Sequence, residues 1–284
     1  MHNFIFENGT RLIFGAGCLK EYLASFLERY GPNVLLVTDG SGGGARCGAQ
    51  DEVSRLLRTG GKTAVECRVR PPCPSSKEAR QAARLCREHH VDLILGVGGS
   101  AVLDCCKAAS LASVCRGDLW EDFWASRGVV DLPPLPVGLV STAVEVGAVN
   151  GAAGLIRNGR CVWRDYPPCD PGFALLDPAY TRALSPRELA AQGFSALAGA
   201  MELYLDPVEG SNVPRDLLEA LLRGHDPGSE DLPPGPAERR GQRRPDVGER
   251  PLGEPVFPAG AAVYVSGPSG PGGGAPLCGG NGRR

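Results

Sequence analysis

Short apolar runs alternate with amphipathic stretches over about residues 12–205. Continuous apolar runs at residues 33–38 and 92–97 are typical of strands that are buried on both faces. Further strands are predicted at residues 63–67 and 135–140. Helical spacing of apolar side chains predicts helices at residues 51–58, 76–90 and 101–115. Strands and helices that alternate in this way predict an α/β fold, a parallel sheet wrapped by helices.

The helix predicted at residues 76–90 has the clearest pattern. Ser75 and Ser76 can cap its first turn. Its predicted buried face consists of Ala79, Ala82, Ala83 and Cys86. His89 and His90 close the helix, and we expect both to be solvated or to interact with the helix dipole.

The pattern changes in the last third of the chain. Ser185 and Pro186 open a long predicted helix over residues 187–205, and a shorter helix is predicted at residues 215–223. Beyond His225, glycine and proline dominate and periodicity ends, which predicts a disordered tail. The predicted organisation is therefore an α/β domain at residues 1–180, the start of a helical domain at 181–224, and a low-complexity tail at 225–284.

Composition narrows the function classes. The chain has 284 residues, a net charge of −2 and 42% hydrophobic residues, which gives no electrostatic reason to expect nucleic acid or an anionic membrane as a partner. No signal peptide or membrane span is predicted. The 11 cysteines lack the spacing of a zinc site, and we interpret them as reduced thiols of a cytoplasmic protein.

A glycine-rich turn is the best local indication of chemistry. Gly98, Gly99 and Ser100 follow a predicted strand and open a helix, which carries Asp104 in its second turn. Glycines let backbone amides approach a pyrophosphate, and the helix N-terminus favours an anion. We therefore predict that these four residues bind a cofactor. The alternative is a tight strand-to-helix turn with no ligand.

A second loop follows an earlier strand. Asp39 ends that strand, and Gly40 and Ser41 continue into a run of glycines. A carboxylate at this place can accept hydrogen bonds from a ribose 2′-hydroxyl and would repel a 2′-phosphate. These three residues are predicted to bind the cofactor, with NAD slightly favoured over NADP. The alternative is a solvated aspartate in a turn.

Together with the Gly98 turn, several segments resemble the iron-type (group III) alcohol dehydrogenases, particularly the butanol-dehydrogenase-like branch. The other segments are residues 14–17, 86–92, 176–181 and 184–187. The resemblance implies an NAD(P)-binding α/β domain, a helical domain, and a divalent metal between them that polarises an alcohol or aldehyde. It also implies that Ser141 and Thr142 lie in a second cofactor loop. It is compatible with assembly of the chain as a homodimer.

The chain departs from the family at the places that matter for catalysis. The family's Gly-Gly-Gly-Ser loop is Gly-Gly-Ser-Ala here, and Glu145 stands where a neutral hydroxyl is expected beside phosphates. The family's Asp and His metal ligands, four residues apart on one helix, are replaced by Ser195 and Gly199. Histidine is found only at positions 2, 89, 90 and 225. We therefore expect no metal ligands and no catalytic residue in this chain.

Two function hypotheses follow. The first is an NAD(P)-dependent alcohol or aldehyde oxidoreductase. The second is a non-catalytic product, either a nucleotide-binding pseudoenzyme or the product of a frameshifted gene. For the frameshift, the codons of residues 245–251 read one base later admit a Leu-Met-Trp-Ala block like one in the family. For this polypeptide the sequence favours inactivity.

Overall fold

The computed structural model describes residues 9–40, 42, 46–70, 73–144, 149, 151–205 and 219. Apart from residue 219, the helix predicted at residues 215–223 lies outside these residues, as do Ser41, Glu145 and the tail beyond His225. The frameshift hypothesis and the division at residue 224 concern this part of the chain and stay predictions.

Six parallel strands form the central sheet of the described chain, and two more form an antiparallel hairpin. The sheet strands are β1 (Arg11–Phe14), β2 (Asn33–Asp39), β3 (Thr63–Val69), β4 (Leu93–Gly98), β5 (Val137–Ser141) and β8 (Phe173–Leu176). The hairpin strands are β6 (Ala153–Arg157) and β7 (Arg160–Arg164). In the described ranges, the α-helices are α1 (Cys18–Leu27), α2 (Ala49–Thr59), α3 (Ser76–Glu88), α4 (Ser100–Val114) and α5 (Pro186–Leu205). A π-helix spans Trp120–Ala125, and 3-10 helices span Pro167–Cys169 and Pro178–Ala183.

Strand order determines where loops can meet. Across the sheet the order is β1-β8-β5-β4-β2-β3, with every pairing parallel. The chain runs outward from β2 to β3 and then returns to place β4 on the other side of β2. The strand order therefore reverses between β2 and β4, and in such folds ligands bind in the crevice at this point, beyond the carboxyl ends of the strands.

Both faces of the sheet are covered, which confirms the predicted α/β fold. Apolar side chains of α1 and α2 pack on one face, and those of α3 and α4 pack on the other. A third apolar cluster joins the outer sides of α3 and α4 to the π-helix and the hairpin. Because both faces are buried, β2 and β4 are continuous apolar runs rather than alternating ones.

Helix α3 shows how local sequence sets these boundaries. The Ser75 hydroxyl accepts a hydrogen bond from the Glu78 amide, and the Glu78 carboxylate accepts one from the Ser75 amide, which is a capping box. All four residues of its predicted apolar face are buried. His89 and His90 are exposed beyond its C-terminus, as expected.

Helix α5 differs from the other helices because three of its large apolar side chains are open to solvent. Phe194 is 71% exposed, Met201 46% and Leu205 69%. Its N-terminus is well formed, since Ser185 and Glu188 exchange hydrogen bonds across the first turn. Among the described residues, no helix combines the length and apolar character required to span a lipid bilayer.

Candidate functional site

The ends of three neighbouring strands bring most of the predicted cofactor residues to one edge of the sheet. Asp39 ends β2, Gly98 ends β4 and Ser141 ends β5. Gly98 pairs with Ser141, and the Thr142 amide donates a 3.1 Å hydrogen bond to the Gly98 carbonyl. The loops after β4 and β5 therefore lie side by side, next to the point where strand order reverses.

Close packing explains the two glycines of the turn after β4. A Cβ on Gly98 would lie 2.5 Å from the Val102 Cγ2 of α4, and one on Gly99 would lie 3.1 Å from the Ala143 Cβ. Side chains here would push α4 and the next loop away from the strand end. Gly99 is also the N-cap residue of α4, and it provides no side-chain cap for the first turn. The turn thus combines a bare backbone with a helix N-terminus, which is the arrangement that suits a phosphate.

The loop after β5 is ordered by its own side chains and by α5. The Ser141 hydroxyl donates to the Ala143 carbonyl at 3.0 Å and accepts from the Ala143 amide at 3.3 Å. Thr142 is buried beside it. The Val144 amide donates a 2.8 Å hydrogen bond to the Gln192 side chain of α5. A helix from the C-terminal part of the described chain therefore touches the candidate loop.

Asp39 and Gly40 lie at the other side of the crevice. Asp39 is half-buried and Gly40 is exposed. The Gly40 amide donates a 2.7 Å hydrogen bond to the Val69 carbonyl, which fixes the start of the loop against the end of β3. Asp39 thus lies at the carboxyl end of β2, next to the point where the strand order reverses.

Asp104 differs from the other predicted cofactor residues because its side chain is 0% exposed. Within the described residues neither carboxylate oxygen forms a hydrogen bond of normal geometry. Burial raises the pKa of Asp104 to about 8, and the Gly154 amide and the Lys107 charge lower it only in part. Asp104 lies within α4 rather than in a loop at the strand ends, and it is fully buried, so its position favours an indirect role.

Lys107, one turn further along α4, links this helix to the segments on either side of the hairpin. Its ammonium donates to the Gly151 carbonyl at 2.6 Å and forms an ion pair with Asp170, and its side chain is buried. Burial raises the pKa of the Asp170 carboxyl, and the Lys107 charge opposes this rise. The pair links α4 to the chain on both sides of the hairpin.

The positions expected to bind metal do not fit a divalent ion. Ser195 is exposed on α5 and Gly199 has no side chain. In the described part of the chain, no three histidine, cysteine, aspartate or glutamate residues are grouped to hold a metal. His89 and His90 lie beyond α3. Within the ranges that the structure describes, the residues therefore provide no site through which a metal-dependent step can be derived.

Comparison with known proteins now identifies the family. Residues 9–178 match the sequence profile described as iron-containing alcohol dehydrogenase. The chain belongs to this family. It is 33% identical over 227 residues to a probable NADH-dependent butanol dehydrogenase 2 of Bacillus subtilis, covering 78% of this chain and 57% of that protein. It is 28% identical over 229 residues to the NADPH-dependent aldehyde reductase YqhD of Escherichia coli, with the same two coverages.

Solved structures agree on the fold. A structure of Escherichia coli YqhD matches with a TM-score of 0.69 at 28% identity, covering 78% of this chain and 57% of the other. A Thermotoga maritima NADH-dependent butanol dehydrogenase A matches with a TM-score of 0.72 at 24% identity, covering 79% and 56%. The chain thus spans somewhat more than half the length of the relatives it matches.

Two residues of the candidate site were not predicted from sequence. Gln192 was not considered because a glutamine on a helix face has no distinctive pattern. Lys107 was part of the Gly98 segment but was not assigned a role, and nothing in the sequence indicates its pairing with Asp170, 63 residues away. Contacts of this kind depend on tertiary packing, so only the three-dimensional structure reveals them.

Proposed function

We propose that this chain binds a nicotinamide dinucleotide across the carboxyl ends of β2, β4 and β5, and that this polypeptide does not turn over substrate. The observation that supports binding is the Gly98-Gly99 turn, where the bare backbone and the α4 N-terminus occupy the reversal point of a parallel sheet. The observation that supports inactivity is the replacement of the expected metal ligands by Ser195 and Gly199.

The proposed binding mode assigns a separate task to each loop. Amides at Gly99 and Ser100 face the pyrophosphate at the start of α4. Asp39 accepts hydrogen bonds from the ribose next to adenine. Ser141 and Thr142 flank the pyrophosphate on the side of β5. Asp104 and Lys107 lie behind these loops and hold α4 and the hairpin in place.

The same arrangement favours NAD over NADP. A carboxylate at Asp39 repels the 2′-phosphate of NADP and accepts hydrogen bonds from the free 2′-hydroxyl of NAD. Related proteins use either cofactor, since their names specify NADH for the butanol dehydrogenases and NADPH for the aldehyde reductase. The preference therefore has to be argued from this chain's own residues.

The second candidate is a metal-dependent reductase of small alcohols or aldehydes. It is favoured by the names of the relatives, which are butanol dehydrogenases and an aldehyde reductase. A metal stabilises the developing alkoxide by several kcal/mol. The described residues do not supply the ligands for such an ion, and we therefore place this candidate second.

A ligand titration of the full chain separates the proposals. We expect saturable NADH binding with a Kd of about 1 mM or weaker, because the phosphate loop lacks one glycine of the family pattern. Binding is measured by saturation-transfer NMR, with NADPH titrated in parallel and expected to bind more weakly. Absence of saturable binding for both nucleotides would overturn the nucleotide proposal.

Two controls complete this test. Asp39→Asn removes the charge but keeps the side-chain shape. It should therefore reduce the difference between the Kd values for NADH and NADPH without changing the melting temperature. Butyraldehyde reduction is then assayed with NADH and added Zn²⁺ or Fe²⁺. We expect no rate above the enzyme-free blank, whereas a metal-dependent rate would establish the second candidate instead.

A further inference from the structure

Two cysteines that are distant in sequence lie together beside the hairpin. The Sγ atoms of Cys73 and Cys161 are 3.6 Å apart, although the residues are separated by 88 positions. Cys73 precedes α3, and Cys161 lies in β7 opposite Ile156 of β6. A disulfide bond is about 2.05 Å long, so the two sulfur atoms have to approach by roughly 1.5 Å to form one.

The backbone around Cys73 holds it in this position. The Ile156 amide donates a 2.9 Å hydrogen bond to the Pro74 carbonyl, and Ser75 forms a parallel bridge with Ile156. The segment before α3 is therefore held beside β6 by an isolated parallel bridge. The Cys73 thiol is placed over the hairpin by backbone contacts rather than by its own rotamer alone.

Gly154 makes room for this thiol. Gly154 pairs with Trp163, and Ile156 pairs with Cys161, so all four residues point to the same face of the hairpin. A Cβ on Gly154 would lie 3.1 Å from the Cys73 Sγ and 2.9 Å from the Trp163 ring. The missing side chain thus lets Cys73 lie on the hairpin, close to Cys161 and Trp163.

Cys161 differs from the core cysteines in its access to solvent, whereas its neighbour Cys73 is buried. Cys161 is partly exposed, and Cys73 is 8% exposed. By contrast, Cys105 and Cys106 are fully buried inside α4, and burial raises the pKa of both thiols well above the ordinary value. A reagent can therefore reach Cys161, whereas the core thiols are protonated and shielded.

We propose that Cys73 and Cys161 are a redox modification site that forms a reversible disulfide. The co-reactant is a low-molecular-weight disulfide. The Cys161 thiolate attacks one of its sulfur atoms, forming a mixed disulfide and releasing one small thiol. The Cys73 thiolate then attacks the Cys161 sulfur, forming the Cys73–Cys161 bond and releasing the second small thiol. The protein thiols lose two protons and two electrons in total, and the small disulfide is reduced to two thiols.

The crosslink would close a long loop around much of the candidate site. The chain between Cys73 and Cys161 contains α3, β4, α4, β5 and β6, including the Gly98 turn. Closing a loop of this length restricts the unfolded chain, so we expect oxidation to raise the melting temperature by about 5–15 °C.

Peptide mapping after oxidation tests the proposal on the full, folded chain. The protein is incubated with oxidised glutathione, remaining thiols are alkylated, and the trypsin digest is analysed without reduction. Cys73 and Cys161 fall in separate tryptic peptides, residues 69–77 and 161–164, that contain no other cysteine. We expect these two peptides to be joined in the native protein, and the bond to disappear after treatment with dithiothreitol.

Matched variants decide between a specific pair and general thiol oxidation. Cys161→Ser should abolish both the linked peptide and the gain in melting temperature, whereas Cys47→Ser, at another partly exposed cysteine, should retain both. If peptides 69–77 and 161–164 are recovered unlinked from the oxidised native chain, the proposal is overturned.

Discussion

The sheet domain and helix α5 use similar apolar residues with opposite results. In the sheet, Phe173 is 0% exposed and stacks on Phe26 of α1 with ring centroids 4.5 Å apart. On α5, Phe194 is mostly exposed although its helix is well capped. The residues that match the family profile end at 178, before α5 begins. The match to the probable butanol dehydrogenase 2 nevertheless covers 78% of the chain and so includes α5. The two regions therefore differ in packing rather than in family resemblance.

This difference shows that an N-cap and an apolar face do not by themselves ensure that a helix buries its apolar side chains. Most of the stability of a helix in a protein comes from packing of its apolar face, not from its own propensity. Helix α5 has the local sequence features but leaves its apolar side chains in contact with water. Substitutions in each region measure how much its side chains contribute to the free energy of unfolding.

The largest expected difference comes from the same substitution in both regions. Phe173→Ala should lower the free energy of unfolding by about 3–5 kcal/mol, because it leaves a cavity beside Phe26. Phe194→Ala should change it by less than about 0.5 kcal/mol, because the ring is already in solvent. Urea unfolding followed by circular dichroism measures both. A loss above about 2 kcal/mol for Phe194→Ala would show that α5 is packed in solution.

A buried ionisable side chain in the sheet domain leads to a prediction about pH. Asp104 is buried without a normal hydrogen bond, and its pKa is raised to about 8 in the folded chain. In the unfolded chain an aspartate ionises near pH 4. Between these values the folded state keeps a proton that the unfolded state has lost, so stability falls as pH rises. The slope is at most about 1.4 kcal/mol per pH unit, and we expect a loss of about 2 kcal/mol between pH 6 and 8.

The isosteric variant Asp104→Asn isolates this effect. An amide is neutral at every pH used, so the variant should show a flatter dependence of stability on pH and should be more stable than the original chain at pH 8. Urea unfolding at pH 6, 7 and 8 gives the slopes. Equal slopes for the two proteins would mean that Asp104 is not protonated in the folded state.

A smaller effect is expected at the turn after β4. Gly98→Ala places a Cβ 2.5 Å from Val102, so α4 has to shift away from the strand end. We expect a destabilisation of about 1–2 kcal/mol from this overpacking, and NADH binding at least about 10-fold weaker. Gly61→Ala is the control, because a Cβ there meets no atom within 4 Å, although the positive φ of 67° adds strain. It should cost stability without changing nucleotide binding.

The sequence predicts strands β2 to β5 and helices α2 to α4 of the sheet domain, but it does not predict the buried strand β8 or helix α1. Residues 34–37 of β2 and all of β4 are apolar because both faces are covered, and α3 carries a capping box as well as an apolar face. The features that specify these strands and this helix are local in sequence, and they can therefore be predicted from it. The edge strand β1 was missed, since its four residues are mostly exposed. The hairpin was missed as well, because β7 contains two arginines and a tryptophan that do not alternate as a strand should.

The candidate site is only partly predictable for the same reason. Glycines after a strand indicate a close approach of backbone and ligand, and the structure shows the packing that requires them. The burial of Asp104 was not foreseen, since a charged residue in a helix of mixed character gives no sign of which face is covered. Helix α4 is buried on nearly all sides, so its apolar residues show little periodicity that would indicate which face is covered.

The smallest effect is expected where the two regions touch. The Gln192 side chain accepts a hydrogen bond from the Val144 amide, and this contact joins α5 to the loop after β5. Gln192→Ala should cost about 0.5–1.5 kcal/mol if the bond persists in solution. The more specific readout is hydrogen exchange at Val144, which should become faster in the variant while exchange in β4 stays unchanged. Ala190→Ser, on an exposed position of the same helix, serves as the control and should affect neither. If Val144 exchanges equally fast in all three proteins, α5 does not dock on the loop, and the contrast between the two regions becomes sharper than the structure shows.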